Sequence, residues 1–493
     1  MPRGRPSHRP AVAFDNTVRQ KGEEGEGRVS LVDRLFDRVM LEIQAGRLAP
    51  GQRLHSVRQL ADECEVSRDT VARAYDKLVA HGHIESRPGS GFYVRQNQRQ
   101  SWPGTDNGKY QLLPDWWRFR LVQPAADLKS TTGLGLLPAD WLDETGLGKA
   151  MRAVARASAR NLSGFGSPLG YLPLRQQLQA KLREVQVEAP VSRIMVTAGA
   201  TQALHLVIMA NLRTAGEPVL VEDPCSFMLR DRLMAVGLNL LNVPRDDDGP
   251  NLEKLREHCI AHRPRFFFCS SVLHNPTSGH ISPHKAYQIL RLADEFKLTI
   301  VEDDTYSDLM PVGKTAPVTR LASLDQLERV IYIGSFSKTV APGLRLGYIC
   351  ANQQIMDWLL VYRTVCEISG SAINERVLYQ LLSHGGYRHH CAQLRSRLDE
   401  CRQPVIQQLT DIGCSIDHQP SEGMYLWVTL PDKMKSLALA DELLKSGHLT
   451  APGPLFSSES VNASRMRFNI SRTLGSPLIA DLSRLFKART SNG

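Results

Sequence analysis

The chain has 493 residues, of which 42% are hydrophobic and 23% charged, and its formal net charge is +9. That length calls for two or more domains with large packed cores, and the basic excess permits contact with nucleic acid without establishing it. Nine cysteines, odd in number and never in Cys-x-x-Cys spacing, argue against a disulfide framework or a metal site. No apolar run approaches the roughly 20 residues of a membrane span, and no apolar segment follows Arg3, Arg5 and Arg9 as it would in a signal peptide. The expectation is a cytoplasmic protein.

Residues 1–28 are rich in Pro, Gly, Arg and Glu without apolar period and predict a disordered tail. Leu31, Leu35 and Val39, with Phe36, Met40 and Ile43 beside them, give a helical apolar face that ends at Gly46. Ser56 and Gln59 have the spacing of a capping box at the start of a second helix. Ser67 is a good N-cap for a third, which runs to about Ala80. Two short strands, 84–86 and 92–94, flank the tight turn Arg87-Pro88-Gly89-Ser90-Gly91. The sum is a helix, a helix–turn–helix and a wing, a pattern that also suits a purely structural three-helix unit.

A helix–turn–helix reads DNA by laying its second helix in the major groove and offering its N-terminal residues to base edges. Here these are Ser67, Arg68 and Thr70. Ser56, Arg58 and the wing residues Gly89 and Ser90 stand where phosphates run. The wording G-R-L-x-P-G-x-R-L, S-V-R-Q-L-A, V-S-R-D-T-V-x-R-A-Y and S-R-P-G-S-G-F-Y-V resembles the winged helix–turn–helix of the GntR regulators across residues 31–94. His55 departs from it, standing where that family usually has proline.

Residues 97–130 read as a linker, although the pair Trp116-Trp117 is too apolar for a free tether. From Leu134 onward strands and helices alternate, which predicts an α/β fold with a mainly parallel sheet. Expected strands are 194–197, 219–221, 266–269, 299–303 and 330–333. A helix capped by Ser282-Pro283 is expected to reach Phe296. A long helix from about Glu375 and strands 424–430 and 466–470 predict a small C-terminal α+β subdomain. The expected domains are therefore a winged head over 29–96 and an α/β domain over 131–489.

The densest chemistry lies after strand 330–333, in Gly334-Ser335-Phe336-Ser337-Lys338-Thr339-Val340-Ala341-Pro342-Gly343-Leu344-Arg345-Leu346-Gly347-Tyr348. Two hydroxyls and a guanidinium suit a phosphate oxyanion, and a lysine held beside them in a dry pocket can form a Schiff base. The pattern S-x-S-K followed by P-G-x-R-x-G-Y resembles the cofactor-lysine segment of fold-type I pyridoxal 5'-phosphate (PLP) enzymes, the aminotransferase superfamily. PLP needs a lysine, an anion cradle, a carboxylate at its pyridine nitrogen and partners for its phenolic oxygen. Gly199-Ala200-Thr201 opens a helix, whose free N–H groups suit phosphate. Asp303 ends a strand as a pyridinium partner would. Tyr306 and Asn275 are candidates for the phenolic oxygen, and Arg467 for a substrate carboxylate.

The resemblance covers roughly residues 134–485. Joined to a GntR-type head it gives the architecture of the MocR regulators, in which an aminotransferase-like domain binds PLP and senses ligands, usually as a head-to-tail homodimer. It implies Lys338 as the covalent cofactor lysine, with Ser335, Ser337, Arg345, Ala200 and Thr201 around the phosphate. The implied partners are double-stranded operator DNA and a small amine, amino acid or B6 vitamer. A working aminotransferase with an accessory DNA-binding head is the alternative. Three positions depart from the pattern: Ser226 where a ring-stacking tyrosine is usual, with Phe227 next to it; Phe165 where relatives have a tyrosine reaching the partner subunit's phosphate; and Glu422 where glycine is common. These losses bear on turnover more than on retention of the cofactor.

Overall fold

The computed structural model describes residues 30–44, 48, 51–80, 83–87, 89–95, 121, 128–142, 144–156, 164–212, 214–311 and 318–490. The expected tail and the Trp116-Trp117 pair lie outside them. The chain divides into two compact units, Met1–Asn107 and Gly108–Gly493.

In the first unit α1 (Leu31–Gln44), α2 (Val57–Cys64) and α3 (Arg68–Ala80) precede a hairpin of β1 (Ile84–Arg87) and β2 (Gly91–Val94). Their apolar faces meet in one core that includes Leu35, Leu60, Val71, Tyr75 and Leu78. The capping box forms as expected: the Ser56 hydroxyl accepts from the Gln59 N–H while the Gln59 side chain accepts from the Ser56 N–H. The wing is tied down by residues 51–54, because Gly51 and Leu54 donate to the Val94 and Phe92 carbonyls, both at 2.8 Å. At His55 the carbonyl accepts from the buried Tyr75 hydroxyl at 2.9 Å, so the departure from proline leaves the turn anchored.

The second unit is built on an eight-stranded sheet. Its strands are β3 (Ile194–Thr197), β4 (Pro218–Asp223), β5 (Asn239–Asp246), β6 (Gly249–Pro250), β7 (Phe266–Cys269), β8 (Thr299–Asp303), β9 (Val330–Ser335) and β10 (Gly347–Cys350). The order is β3-β10-β9-β8-β7-β4-β5-β6. The run from β9 to β5 is parallel, and β10 is antiparallel to both of its neighbours. Strands covered on both faces read as continuous apolar runs, which is why most were visible in the sequence. β5 was not: two asparagines and Pro244 interrupt its apolar run, and it lies near the sheet edge, where a proline is tolerated.

A second sheet, ordered β11-β13-β12, is formed by β11 (Tyr425–Thr429), β12 (Ala451–Pro452) and β13 (Arg465–Asn469). It packs into a separate core with the helix Gly386–Asp411. The long helix expected from Glu375 is two helices, Ala372–Ser383 and Gly386–Asp411. Gly385 between them sits at φ +73°, a left-handed conformation that glycine adopts without strain and that stops a helix. Of the stretch read as a linker, Lys129 and Ser130 are fastened to this subdomain. The Lys129 N–H donates to Gly447 at 2.8 Å, and Ser130 Oγ lies 2.8 Å from His448 Nδ1.

Ser56→Ala removes one cap acceptor from α2 and is expected to destabilise the head by about 1 kcal/mol. The check is its unfolding transition within the full chain; a shift below about 0.3 kcal/mol contradicts the capping assignment.

Candidate functional site

The lysine loop leaves the sheet at its centre. Gly347 of β10 stands opposite both Thr197 of β3 and Ser335 of β9, so the loops that follow β3 and β9 meet at the start of β10. The approach is close: a Cβ on Gly347 would lie 2.7 Å from the Gly334 oxygen and 2.9 Å from Gly199. Beyond β9 the Ser337 N–H donates to the Ser335 hydroxyl at 3.3 Å, which tightens the turn into Lys338. Lys338 Nζ donates to the Gly135 carbonyl at 2.7 Å and lies 5.5 Å from the centre of the Tyr306 ring. Burial holds the Lys338 pKa below its ordinary value, and the nearby Arg467 and Arg345 charges act in the same direction.

Around the ammonium stand the other residues picked out in the sequence. Asp303 ends β8 and accepts from the Thr305 N–H at 3.1 Å and from the Thr305 hydroxyl. Burial raises its pKa, against the opposing pull of those hydrogen bonds and of Lys338. The Tyr306 hydroxyl accepts from Asn275 Nδ2 at 3.3 Å and lies 3.0 Å from the Tyr425 hydroxyl. Arg467, only 2% exposed, reaches across from β13. Its Nη1 donates to Asn275 Oδ1 and its Nη2 to the Gly133 carbonyl, both at 2.7 Å, and its guanidinium lies 4.2 Å from the Tyr425 ring centre. Asn275 and Asp303 also line a small pocket with Glu222 and Ser226.

The positive pole lies at the helix Ala200–Asn211, whose N-cap Gly199 is at φ +81° and carries no side chain to close the first turn. Arg345 leans over it, donating from Nη2 to the Ala198 carbonyl at 3.0 Å. A Cβ on Gly199 would stand 3.3 Å from that guanidinium. Free helix N–H groups beside a guanidinium form an anion cradle. Gly199, Ala200, Thr201 and Arg345 are thus brought together, and the register of β10 places Ser335 on the same side.

The three departures take definite forms. Ser226 lines the same pocket, while Phe227 is buried and packs edge-on against Phe456 with ring centres 6.0 Å apart. Phe165 is 84% exposed. Glu422 is buried beside His280, 3.6 Å away. Sequence reasoning passed over Gly135 and Tyr425, which touch Lys338 and Tyr306. Gly135 lies 203 residues from Lys338, and Tyr425 reads simply as one residue of a core strand.

In the head, Ser67 caps α3, its hydroxyl accepting from the Thr70 N–H at 3.1 Å, and Arg58 and Arg68 are exposed. Gly89 is an exposed positive-φ turn residue, and the Ser90 hydroxyl lies 2.6 Å from that of Tyr93. Further arginines stand exposed on these elements, among them Arg73 on α3 and Arg53 beside Gly91 of the wing. Their spacing from Arg68 and Gly89 was the available signal.

Residues 140–474 match the family of class I and II aminotransferases, and residues 31–94 match the bacterial regulatory proteins of the gntR family. The chain belongs to the class I and II aminotransferase family and carries a GntR head. That pairing is the MocR-type architecture. Among curated relatives, the uncharacterized HTH-type transcriptional regulator YisV of Bacillus subtilis (strain 168) is 26% identical over 451 residues, covering 87% of this chain and 90% of that protein. The HTH-type transcriptional regulator NorG of Staphylococcus aureus (strain USA300) is 24% identical over 425 residues, covering 83% and 93%. Among solved structures, an archaeal alanine:glyoxylate aminotransferase aligns with TM-score 0.69 at 23% identity, over 75% of this chain and 93% of its own. The α-aminoadipate aminotransferase LysN of Thermus thermophilus, complexed with N-(5'-phosphopyridoxyl)-L-leucine, aligns with TM-score 0.69 at 24% identity, over 78% and 97%. At these identities the structures establish the fold alone: fold-type I. Among the described residues no helix is long and apolar enough to cross a membrane, and no cluster of metal-ligating side chains occurs.

A Cβ on Gly135 would lie 2.8 Å from the Tyr425 hydroxyl and 3.7 Å from Lys338 Nζ, whereas one on Gly343 would meet nothing within 4 Å. Gly135→Ala is therefore expected to cost about 1–3 kcal/mol by overpacking, and Gly343→Ala to be close to neutral. Denaturant unfolding of the two variants side by side checks this; equal stabilities contradict the packing described.

Proposed function

We propose that this protein is a PLP-dependent transcriptional regulator, in which the GntR head binds operator DNA and the aminotransferase domain holds PLP at Lys338 and senses a small amine, amino acid or B6 vitamer. The observation that carries the reading is the convergence of Lys338, Asp303, Asn275 and Tyr306 with an anion cradle, on a chain whose head exposes Arg68 at the start of a recognition helix. The residues fit the cofactor. Gly199 leaves the first turn of its helix open toward Arg345, and Gly135 and Gly347 leave no room for a Cβ beside the lysine loop.

When bound, PLP supplies an electrophilic carbonyl and an electron-withdrawing ring. The protein's own groups do the rest. Burial favours the neutral amine of Lys338, the form that bonds a carbonyl carbon, and the Gly135 oxygen holds its direction. Asp303 keeps a proton on the pyridine nitrogen, its carboxylate anchored by Thr305. Tyr306 and Asn275 bond the phenolic oxygen. The helix N-terminus, Arg345, Ser335 and Ser337 neutralise the phosphate. Arg467 binds a ligand carboxylate once it gives up Asn275 or Gly133.

A homodimer is supported by a stripe on the helix Gln353–Cys366, where Trp358 and Val365 are 58% and 80% exposed and Val361 lies between them at helical spacing. The exposed Phe165 stands nearby, since its neighbour Gly166 abuts Ser369 just beyond that helix. The names borne by YisV and NorG support regulation over metabolism.

Purified protein supplied with PLP is expected to be yellow and Lys338→Ala to lose that absorbance; a colourless wild type refutes the cofactor reading. Attachment at Lys338 rises with pH and reaches its midpoint below the 10.5 of an ordinary lysine, which a spectrophotometric pH titration reads. Turnover of an amino acid with a keto acid at about 1 per second or faster would favour the aminotransferase reading instead. Arg68→Ala is expected to weaken operator binding by about 1–3 kcal/mol, on a background that falls steeply with salt. A gel-shift titration at two salt concentrations checks both.

A further inference from the structure

We propose that the cleft between the two sheets of the C-terminal unit is a second, non-covalent binding site for a small zwitterion, an amino acid or ω-amino carboxylate. Its carboxylate would sit on Arg245 and its ammonium between Asp247 and Glu459. The site does not depend on PLP.

The cleft holds about 1080 Å³ of solvent-open space. One wall is the carboxyl ends of β4 and β5 with the loop of Thr277 and Gly279, and the other includes Asp417, Trp427 and Arg465 of the small subdomain. Five carboxylates line it. Three are already paired: Asp223 with Arg230 at 3.4 Å, Asp246 with Lys285 at 2.6 Å and Asp417 with Arg465 at 2.7 Å. The side chains of Asp247 and Glu459 are exposed and have no partner among the described residues.

Opposed to them is Arg245, whose guanidinium is incompletely bonded. The Arg245 side chain is only 2% exposed. Its Nη1 is committed to Glu222, but its Nη2 is buried with no hydrogen-bond partner. That nitrogen lies 3.8 Å from where a Cβ of Gly279 would stand, on the same wall. A buried guanidinium nitrogen without an acceptor is costly, and an incoming carboxylate satisfies it. The ligand must also carry an ammonium, because a plain anion meets two unpaired carboxylates, whereas a plain cation leaves Nη2 unsatisfied. Trp427 adds a ring for the ligand's methylene or ammonium groups.

The cleft is joined to the lysine pocket through side chains. Glu222, which Arg245 holds, accepts from the Ser270 N–H at 2.8 Å and lines the cavity of Asp303 and Asn275. Trp427 stands opposite Arg467 in the β11–β13 register, and both pack on Phe456.

The test is calorimetric titration of the full chain with N,N-dimethyl amino carboxylates, from dimethylglycine to 6-(dimethylamino)hexanoate. Their tertiary nitrogen cannot condense with a carbonyl at the lysine pocket. At least one is expected to saturate one site per chain, to bind Lys338→Ala equally well, and to bind the Asp247→Asn, Glu459→Gln double variant at least tenfold more weakly. Both substituted residues are exposed, so the variant is expected to melt as the wild type does. The proposal is overturned if no probe saturates, if the double variant binds as tightly, or if binding vanishes in Lys338→Ala. Equally tight binding of dimethylbutylamine or of butyrate would show a purely cationic or purely anionic site and overturn it too.

Discussion

The ammonium of Lys338 is held by the carbonyl of Gly135, and the position of that carbonyl is decided far from the lysine. A buried donor needs an acceptor, and here the acceptor belongs to a strap of residues 131–137 laid down by the small subdomain. Arg467 Nη2 donates to the Gly133 carbonyl, Asn469 Nδ2 to Leu134 and Leu136, and Arg472 to Leu136 and Leu137. The strap lies tight against its bed: a Cβ on Gly133 would fall 2.4 Å from the Thr450 backbone. The lysine rides on the large sheet and its partner on the small one, so the site exists only when the two subdomains are correctly set.

The same logic of satisfied burial selects one acid from three at the end of β8. Residues alternate faces along a strand, so Glu302 and Asp304 point away from the pocket that Asp303 faces. Glu302 accepts from the Ser271 hydroxyl and from the Leu321 and Ala322 N–H groups, and burial beside Asp304 pushes its pKa up to about 7. Asp304 accepts from Arg320 and Tyr332, both at 2.6 Å. Glu302 is thus spent on tying the sheet to neighbouring elements, and Asp304 is tied through Oδ2 alone, its buried Oδ1 having no partner among the described residues. Among the described residues Asp303 accepts hydrogen bonds from Thr305 alone and remains available to a ligand.

What could be read from the chain alone follows the range of the interaction involved. The capping box at Ser56, the apolar strands β7 and β8 and the helix begun by Ser282 are set by neighbours a few residues away, and their patterns were visible. Lys338, Asp303 and Asn275 were visible because each sits in a local pattern at a strand end. Gly135, Tyr425 and the Glu222–Arg245 pair were not, since each acquires its meaning from a residue far along the chain. Phe227 shows the limit most clearly. Its place beside Ser226 leaves open whether it faces the pocket, and only the tertiary contact with Phe456 turns it into the core.

The commitments of Arg467 bear on why such a site suits a sensor. A ligand carboxylate that takes this guanidinium draws it from Asn275, from Gly133, or from both. Losing Asn275 disturbs the hydrogen bond to Tyr306, and losing Gly133 loosens the strap that carries Gly135. That strap follows directly on the stretch of chain leading from the head, and Lys129 and Ser130 just before it are themselves fastened to the small subdomain. An enzyme gains from an arginine already free to receive its substrate, because every bond broken on binding subtracts from affinity. A regulator gains from the reverse arrangement. Only a ligand with differential affinity for two states can shift an equilibrium between them, and an arginine that must exchange internal partners for the ligand makes occupancy and strap position parts of one equilibrium.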